Sequence, residues 1–294
     1  MELPSYHSIN PSSIQIVECP RDAMQGWKHF IPTEKKILYI NSLLKVGFHT
    51  IDFGSFVSAK AIPQMADTVK VLQGLEMEGS VSKLLAIIAN VRGAEEAATQ
   101  EAISFLGFPF SVSETFQQRN TNSSIDESLK RVEEIQSICI KYKKELVVYL
   151  SMGFGNPYGD AYSEEIVFGW AKRLADMGIQ TISLADTVGM ASQEQVFSVT
   201  NHLIQNMPDQ QIGVHLHSSP YNRIAKLDAA LRAGCKRFDG ALKGIGGCPM
   251  ANDELVGNMD TGLMIPYFMG LDMLRGINEA ALLESMRMAD EIFV

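Results

Sequence analysis

At 294 residues, with 46% hydrophobic and 20% charged residues, the chain has the size of one α/β barrel and the composition of an ordinary globular protein. Its 23 glycines and 11 prolines argue against collagen-like or low-complexity character, and a formal net charge of −9 without a run of Lys/Arg argues against nucleic acid as a partner. No apolar run approaches the ~20 residues of a membrane span, MELPSYHSIN lacks a basic start, and four cysteines contain no CxxC pair, so a soluble cytoplasmic protein, with no membrane partner and no disulfide framework, is expected.

Eight short β-branched or aliphatic runs follow one another at 14–18, 48–52, 83–88, 102–107, 145–151, 179–184, 211–216 and 236–240. Their starts lie between 19 and 43 residues apart, the length of a strand, a crossover helix and two loops. The intervening segments carry helical period. Between the fourth and fifth runs, Ile125, Leu129, Val132, Ile135, Ile138, Cys139 and Tyr142 fall on one stripe behind the capping box Ser124-x-x-Glu127. A second box, Ser192-x-x-Gln195, follows the sixth run. Eight parallel strands alternating with helices form either an open doubly wound sheet or a closed (β/α)8 TIM barrel. The even spacing and the absence of GxGxxG after the first strand favour the barrel, as a single domain over 1–294 with a helical extension over 265–294.

A barrel puts its site at the C-terminal ends of the strands, which makes those ends a short list of candidates. The first ends in Glu18-Cys19-Pro20-Arg21-Asp22, the second at Asp52, the sixth in Ser183-Leu184-Ala185-Asp186, the seventh in His215-Leu216-His217, and the eighth leads into GIGGCP at 244–249. His215 and His217, two apart on a strand, present both imidazoles to one face. An isolated H-x-H is as readily a pair of histidines bonded to neighbouring carbonyls, but with oxygen ligands at hand, above all Asp22, it suits a divalent cation such as Mg²⁺ or Mn²⁺. Arg21 is either half of a loop ion pair or a guanidinium for a substrate carboxylate or an enolate oxygen. The glycines of GIGG read weakly as a phosphate cradle, and Cys248 as a small buried residue or a thiol acid or base on a mobile loop. Lys28 is a phosphate contact or a solvated lysine. Cys139 and Cys235 read as packing residues.

Together, VECPRDAMQ at 17–25, SFVSAKAIPQMAD at 55–67, ISLADTVG at 182–189, VHLH at 214–217, GIGGCP at 244–249 and GN at 257–258 resemble the 3-hydroxy-3-methylglutaryl-CoA lyases, within a wider group of barrel metallolyases. SFVSxKxxPQM and GxGGCP distinguish the lyases from the related synthases. The resemblance implies a divalent metal held by Asp22, His215, His217 and Asn258, with Arg21 on the enolate oxygen and Cys248 as the loop thiol. It further implies catalytic roles for His215 and Asp186, and substrate contacts from Glu18, Gln25, Asp52, Ser55 and Ser183. The implied reaction cleaves a 3-hydroxy-3-methylglutaryl thioester to acetyl-CoA and acetoacetate. An acyl-CoA is then the expected partner, and a homo-oligomer, a dimer first, the expected assembly.

The chain also departs from the family pattern. Ser218-Ser219-Pro220 replaces the acidic residue and its neighbours after the second His, Asp52 stands for a Glu, Ala23 for the Gly of PRDG, and Cys19 for a usual Gly. Asn258 follows Cys248 by ten positions, one more than in the lyase pattern, and a Glu after the Asn is lost. These changes spare the implied ligands and the thiol and alter what surrounds them, which leaves a related hydroxy-acid thioester as an alternative substrate and a non-catalytic barrel as a third reading.

Overall fold

The computed structural model describes residues 14–247 and 256–294. Eight parallel strands pair in chain order: β1 (Gln15–Glu18), β2 (Thr50–Phe56), β3 (Lys83–Ile88), β4 (Ile103–Ser111), β5 (Glu145–Ser151), β6 (Thr181–Asp186), β7 (Gln211–Leu216) and β8 (Arg237–Gly240). β8 pairs back onto β1, with Gln15 opposite Arg237 and Glu18 opposite Gly240, so the sheet closes into the expected barrel. All eight predicted runs become strands. β2, β4 and β6 run past the predicted ends, through Phe53-Gly54-Ser55-Phe56, Phe108-Pro109-Phe110-Ser111 and Ala185-Asp186, because each barrel strand is hydrogen-bonded on both edges and pairing carries on through the glycine, proline and polar positions that interrupt the run.

The helices between strands form where capping and burial patterns agree. α1 (Pro20–Gln25) starts on a proline whose missing N–H costs nothing at that position, and α2 (Thr33–Leu44), α3 (Thr68–Gln73) and α4 (Val91–Ala98) follow. α5 (Glu114–Thr121) precedes α6 (Ile125–Tyr142), in which the Ser124/Glu127 box forms as expected and Ile125, Val132, Ile135 and Cys139 are buried. α7 (Glu164–Asp176), α8 (Gln193–Asn206) and α9 (Arg223–Arg232) complete the ring, and the Ser192/Gln195 box caps α8. After β8 come α10 (Thr261–Gly270) and α11 (Glu279–Ile292). α10 begins before residue 265 because Asp260 caps it, accepting from Gly262 N–H at 3.0 Å. α11 lies against α2, where Ser285 donates to Ser42 at 2.9 Å and Phe293 meets Tyr39 edge-on. No described helix is long and apolar enough to cross a membrane.

The main core fills the space between barrel and helices. Inside the barrel lies a smaller apolar layer of Leu85, Phe105, Val147 and Tyr149. Toward the N-terminal end the interior is polar: Gln211 donates to Gln15, and Thr181 to Glu145.

Candidate active site and metal centre

The break from β1 to α1 delivers the first group of side chains. One turn of helix sets Arg21, Asp22 and Gln25 on neighbouring positions: Arg21 Nη1 donates to Asp22 Oδ1 at 3.1 Å and to Gln25 Oε1 at 2.8 Å, and Gln25 Nε2 donates to Asp22 Oδ1 at 2.6 Å. From the neighbouring strand β2, Asp52 accepts from Arg21 Nε at 3.1 Å and Nη2 at 2.5 Å. A guanidinium has five N–H donors, and these bonds leave one on Nη2 uncommitted among the described residues. Burial pushes the Asp52 carboxyl up to about 6 in spite of Arg21, so the pair is ionised at neutral pH.

β7 supplies the second group. His215 and His217 stand with ring centroids 5.4 Å apart, and each offers a ligand atom within 4.8 Å of Asp22's. Burial would raise the Asp22 carboxyl, but Arg21, His215 and His217 outweigh it and hold the group below the usual carboxylate range. Burial, and then the neighbouring His215, press His217 down to about 3, so its ring is neutral with a lone pair to give. His215 moves the other way, because the hydrogen bond and charge of Asp239 overcome its burial.

Asn258 arrives from 41 positions further along the chain than His217. It forms an antiparallel bridge with His217, fixed by Ser218 N–H to Gly257 O and Met259 N–H to Leu216 O. Its Nδ2 donates to Asp22 Oδ2 at 2.6 Å and to Ile245 O at 2.9 Å, while its buried Oδ1 has no donor among the described residues. A carboxylate, two imidazoles and a buried unpaired carbonyl oxygen are a donor set for a fairly hard divalent cation. The glycines of GIGG serve this approach: a Cβ on Gly246, at φ +102°, would meet Asn258 Nδ2 at 2.6 Å and Asp22 O at 2.9 Å. Cys248 lies outside the described residues.

A cavity of about 240 Å³ opens at this point, lined by the polar Arg21, Asp22, Gln25, His215 and His217 and by apolar side chains that include Val57, Ile62, Ile87, Pro109 and Phe116. Six of the described sequence candidates are not among its lining residues: Asp52 and Asn258, which sit beside Arg21 and Asp22, and Ser55, Ser183, Glu18 and Asp186. Ser55 and Ser183 are buried with hydroxyls that have no partner among the described residues. Glu18 points out of the barrel, because Gln15, Val17 and Cys19 take the inward face of β1 and alternation sends Ile16 and Glu18 the other way. Its Oε1 accepts from Leu242 N–H at 2.9 Å, and burial pushes the carboxyl up to about 8. Asp186 accepts from Lys226 Nζ at 2.6 Å and from Ala191 N–H at 3.2 Å.

Glu18 has a measurable consequence. Its pKa is raised by folding from an ordinary value of 4.5, so the stability it contributes is fully present below that value and is lost as pH rises through about 8. Glu18→Gln keeps the acceptor for Leu242 and removes the titration. Urea unfolding across this range should show the variant losing less stability than the parent, and identical pH profiles would contradict a buried neutral Glu18.

The sequence reading missed Lys226 and the pair Arg237–Asp239. Lys226, 1% exposed, donates to Asp186, to Gly189 O at 3.0 Å and to His217 O at 2.9 Å, and so ties the ends of β6 and β7 together. A lysine among the buried alanines and leucines of α9 was the available signal. Arg237 and Asp239, alternate residues of a strand, share one face, as His215 and His217 do.

Residues 13–288 match the sequence profile of the HMGL-like family. The chain is 33% identical to the hydroxymethylglutaryl-CoA lyase YngG of Bacillus subtilis (strain 168), over 96% of this chain and 93% of that one. It is 34% identical to the mitochondrial hydroxymethylglutaryl-CoA lyase of Bos taurus, over 94% of this chain and 84% of that one. Among solved structures it is similar to an HMG-CoA lyase from Acinetobacter baumannii in complex with coenzyme A and 3-methylmalate, at TM-score 0.88 and 30% identity, covering 99% of this chain and 93% of that one.

Proposed function

The chain belongs to the HMGL-like family, and from that premise and the geometry of the barrel mouth we propose that it is a divalent-metal-dependent carbon–carbon lyase cleaving 3-hydroxy-3-methylglutaryl-CoA to acetyl-CoA and acetoacetate. The observation that carries the reading is the convergence of Asp22, His215 and His217, with ligand atoms within 4.8 Å, on the unpaired Oδ1 of Asn258 beside a cavity that Arg21 enters. These four residues would hold Mg²⁺ or Mn²⁺, and the cation, when bound, would hold the substrate's hydroxyl and carboxylate oxygens and acidify the hydroxyl.

Loss of the hydroxyl proton to water and cleavage of the C2–C3 bond leave the bonding pair on C2, giving acetoacetate and the enolate of acetyl-CoA; the proton that the enolate then takes up is restored to its donor from water, so none is gained or lost. The uncommitted Nη2–H of Arg21 is directed at the charge that develops on the enolate oxygen. Asp52 holds the guanidinium in its plane by two bonds, and Gln25 and Asp22 hold its other end. Such preorganisation lets the donor act without rearranging in the transition state. Asp186 is a positioning residue, bound to Lys226 and thereby to the backbone of His217. Cys248, following Gly244–Gly247, is the proton donor that quenches the enolate; a neutral thiol suits that task. The coenzyme A bound by the Acinetobacter relative supports an acyl-CoA substrate.

The test is purified protein with Mn²⁺ or Mg²⁺ and a panel of 3-hydroxyacyl-CoA esters, scored for acetyl-CoA release. Turnover should be greatest with the 3-hydroxy-3-methylglutaryl ester, vanish after chelation and return on adding the cation. Full activity in metal-free protein would sink the metal assignment. Preference for another ester would keep the reaction type and change the substrate, an outcome that Ser218 and Asp52, departing from the family pattern, make worth measuring.

A further inference from the structure

We infer that Asp239 is a positioning residue for His215: it holds the ring's Nδ1–H and so turns the Nε2 lone pair toward Asp22, His217 and Asn258, while Arg237 holds Asp239 in place. The pairing of β7 with β8 sets this up, since His215 lies opposite Asp239 and Gly213 opposite Arg237. Asp239 Oδ2 faces His215 Nδ1 at 3.4 Å, and its Oδ1 accepts from Arg237 Nη1 at 2.7 Å. The two carboxylate oxygens are thus divided between the imidazole and the guanidinium. Gly213 makes room for the arginine stem: a Cβ there would lie only 3.2 Å from Arg237 Cγ and Cδ. Tyr149 closes the other side, meeting the His215 ring edge-on at 5.7 Å between centroids.

The arrangement is notable for where it sits. Barrel interiors are ordinarily filled with layers of branched apolar side chains. Here a guanidinium and a carboxylate, 3% and 0% exposed, occupy that space. A buried ion pair contributes little net stability over apolar filling of the same volume, so its stabilising value does not account for it. Its geometry does, because a ring that binds through one nitrogen needs the other fixed by a partner, which sets both tautomer and orientation. Cys19, the remaining ligand-type atom near His215 and Asp239, is no competitor for that bond: burial pushes its thiol up, and its Sγ lies 3.7 Å from Val17 O.

This inference rests on the proposed metal site for one of its two readouts and is independent of it for the other. In ¹⁵N-histidine-labelled metal-free protein at alkaline pH, with the signal assigned by comparison with His215→Gln, His215 should appear as the Nδ1–H tautomer. Asp239→Asn should mix the tautomers and weaken Mn²⁺ binding, followed by the free-Mn²⁺ spin resonance signal, by roughly 10–100-fold. Arg237→Met should act in the same direction by a smaller factor. The Nε2–H tautomer in the unmodified protein would overturn the inference whether or not any variant folds. So would a folded Asp239→Asn protein with unchanged tautomer and Mn²⁺ affinity, the result of a purely structural role. Absence of Mn²⁺ binding by the unmodified protein would instead refute the metal reading and leave the tautomer to decide this one.

Discussion

Arg21→Met should lower turnover by roughly 10²–10³-fold, the loss that follows removal of one donor to a developing oxyanion. The reasoning is differential. In the proposed mechanism the Nη2–H left uncommitted among the described residues acts on charge that exists only during bond cleavage, so its removal should fall on kcat far more than on KM. Binding of Mn²⁺ should persist or tighten, since the variant takes a positive charge from beside Asp22. Asp22→Ala should do the reverse at the first step and weaken Mn²⁺ binding itself. Arg21→Lys should recover little, because an ammonium cannot make the paired bonds to Asp52 and still reach the substrate. Steady-state kinetics and Mn²⁺ titration of the three variants check this; Arg21→Met turnover within a few-fold of the parent would remove the enolate role from Arg21.

The largest loss of stability is expected at Lys226. Lys226→Met leaves the Asp186 carboxylate, 2% exposed, without its counter-charge and strips a donor from the carbonyls of Gly189 and His217. Breaking a buried pair in this way costs about 3–5 kcal/mol, most of it the penalty of the uncompensated charge. Adding Asp186→Asn to the same chain should recover part of that loss, because a neutral amide is cheaper to bury than an unpaired carboxylate. Urea unfolding of parent, single and double variants measures both quantities. A single variant within ~1 kcal/mol of the parent, against the ~3–5 expected, would mean that Asp186 takes up a proton or finds water at no cost.

Lys226 also marks a limit of reading the chain by local pattern. Its place among buried residues of α9 announces a buried charge and leaves its partner unnamed. The partner is forty positions away on β6, and barrel closure alone brings the two together. Glu18 teaches a different lesson. Alternation along β1 already separates it from Val17 and Cys19, so its exclusion from the cavity was present in the pattern, and proximity to Arg21 and Asp22 along the chain obscured it. Arg237 and Asp239 were legible as a same-face pair in the same way that His215 and His217 were; what they face was not.

By itself the sequence determined the barrel and supplied the candidate groups at its mouth. Apolar runs at βα spacing, two capping boxes and the H-x-H pair are local signals, set by side-chain period and backbone capping, and all reappear in the structure. Tertiary structure alone decided which groups meet. Asn258 reaches Asp22 from 236 positions away because the chain after Gly257 bridges onto the end of β7, and glycines at 244 and 246 permit that close approach. Asp186, a strand-end carboxylate like Asp22, is turned instead to Lys226. The physical reason is that period and capping are encoded within a few residues, whereas the partner of a buried polar group is whatever packing brings within hydrogen-bond reach, and that depends on the register of strands far apart in the chain.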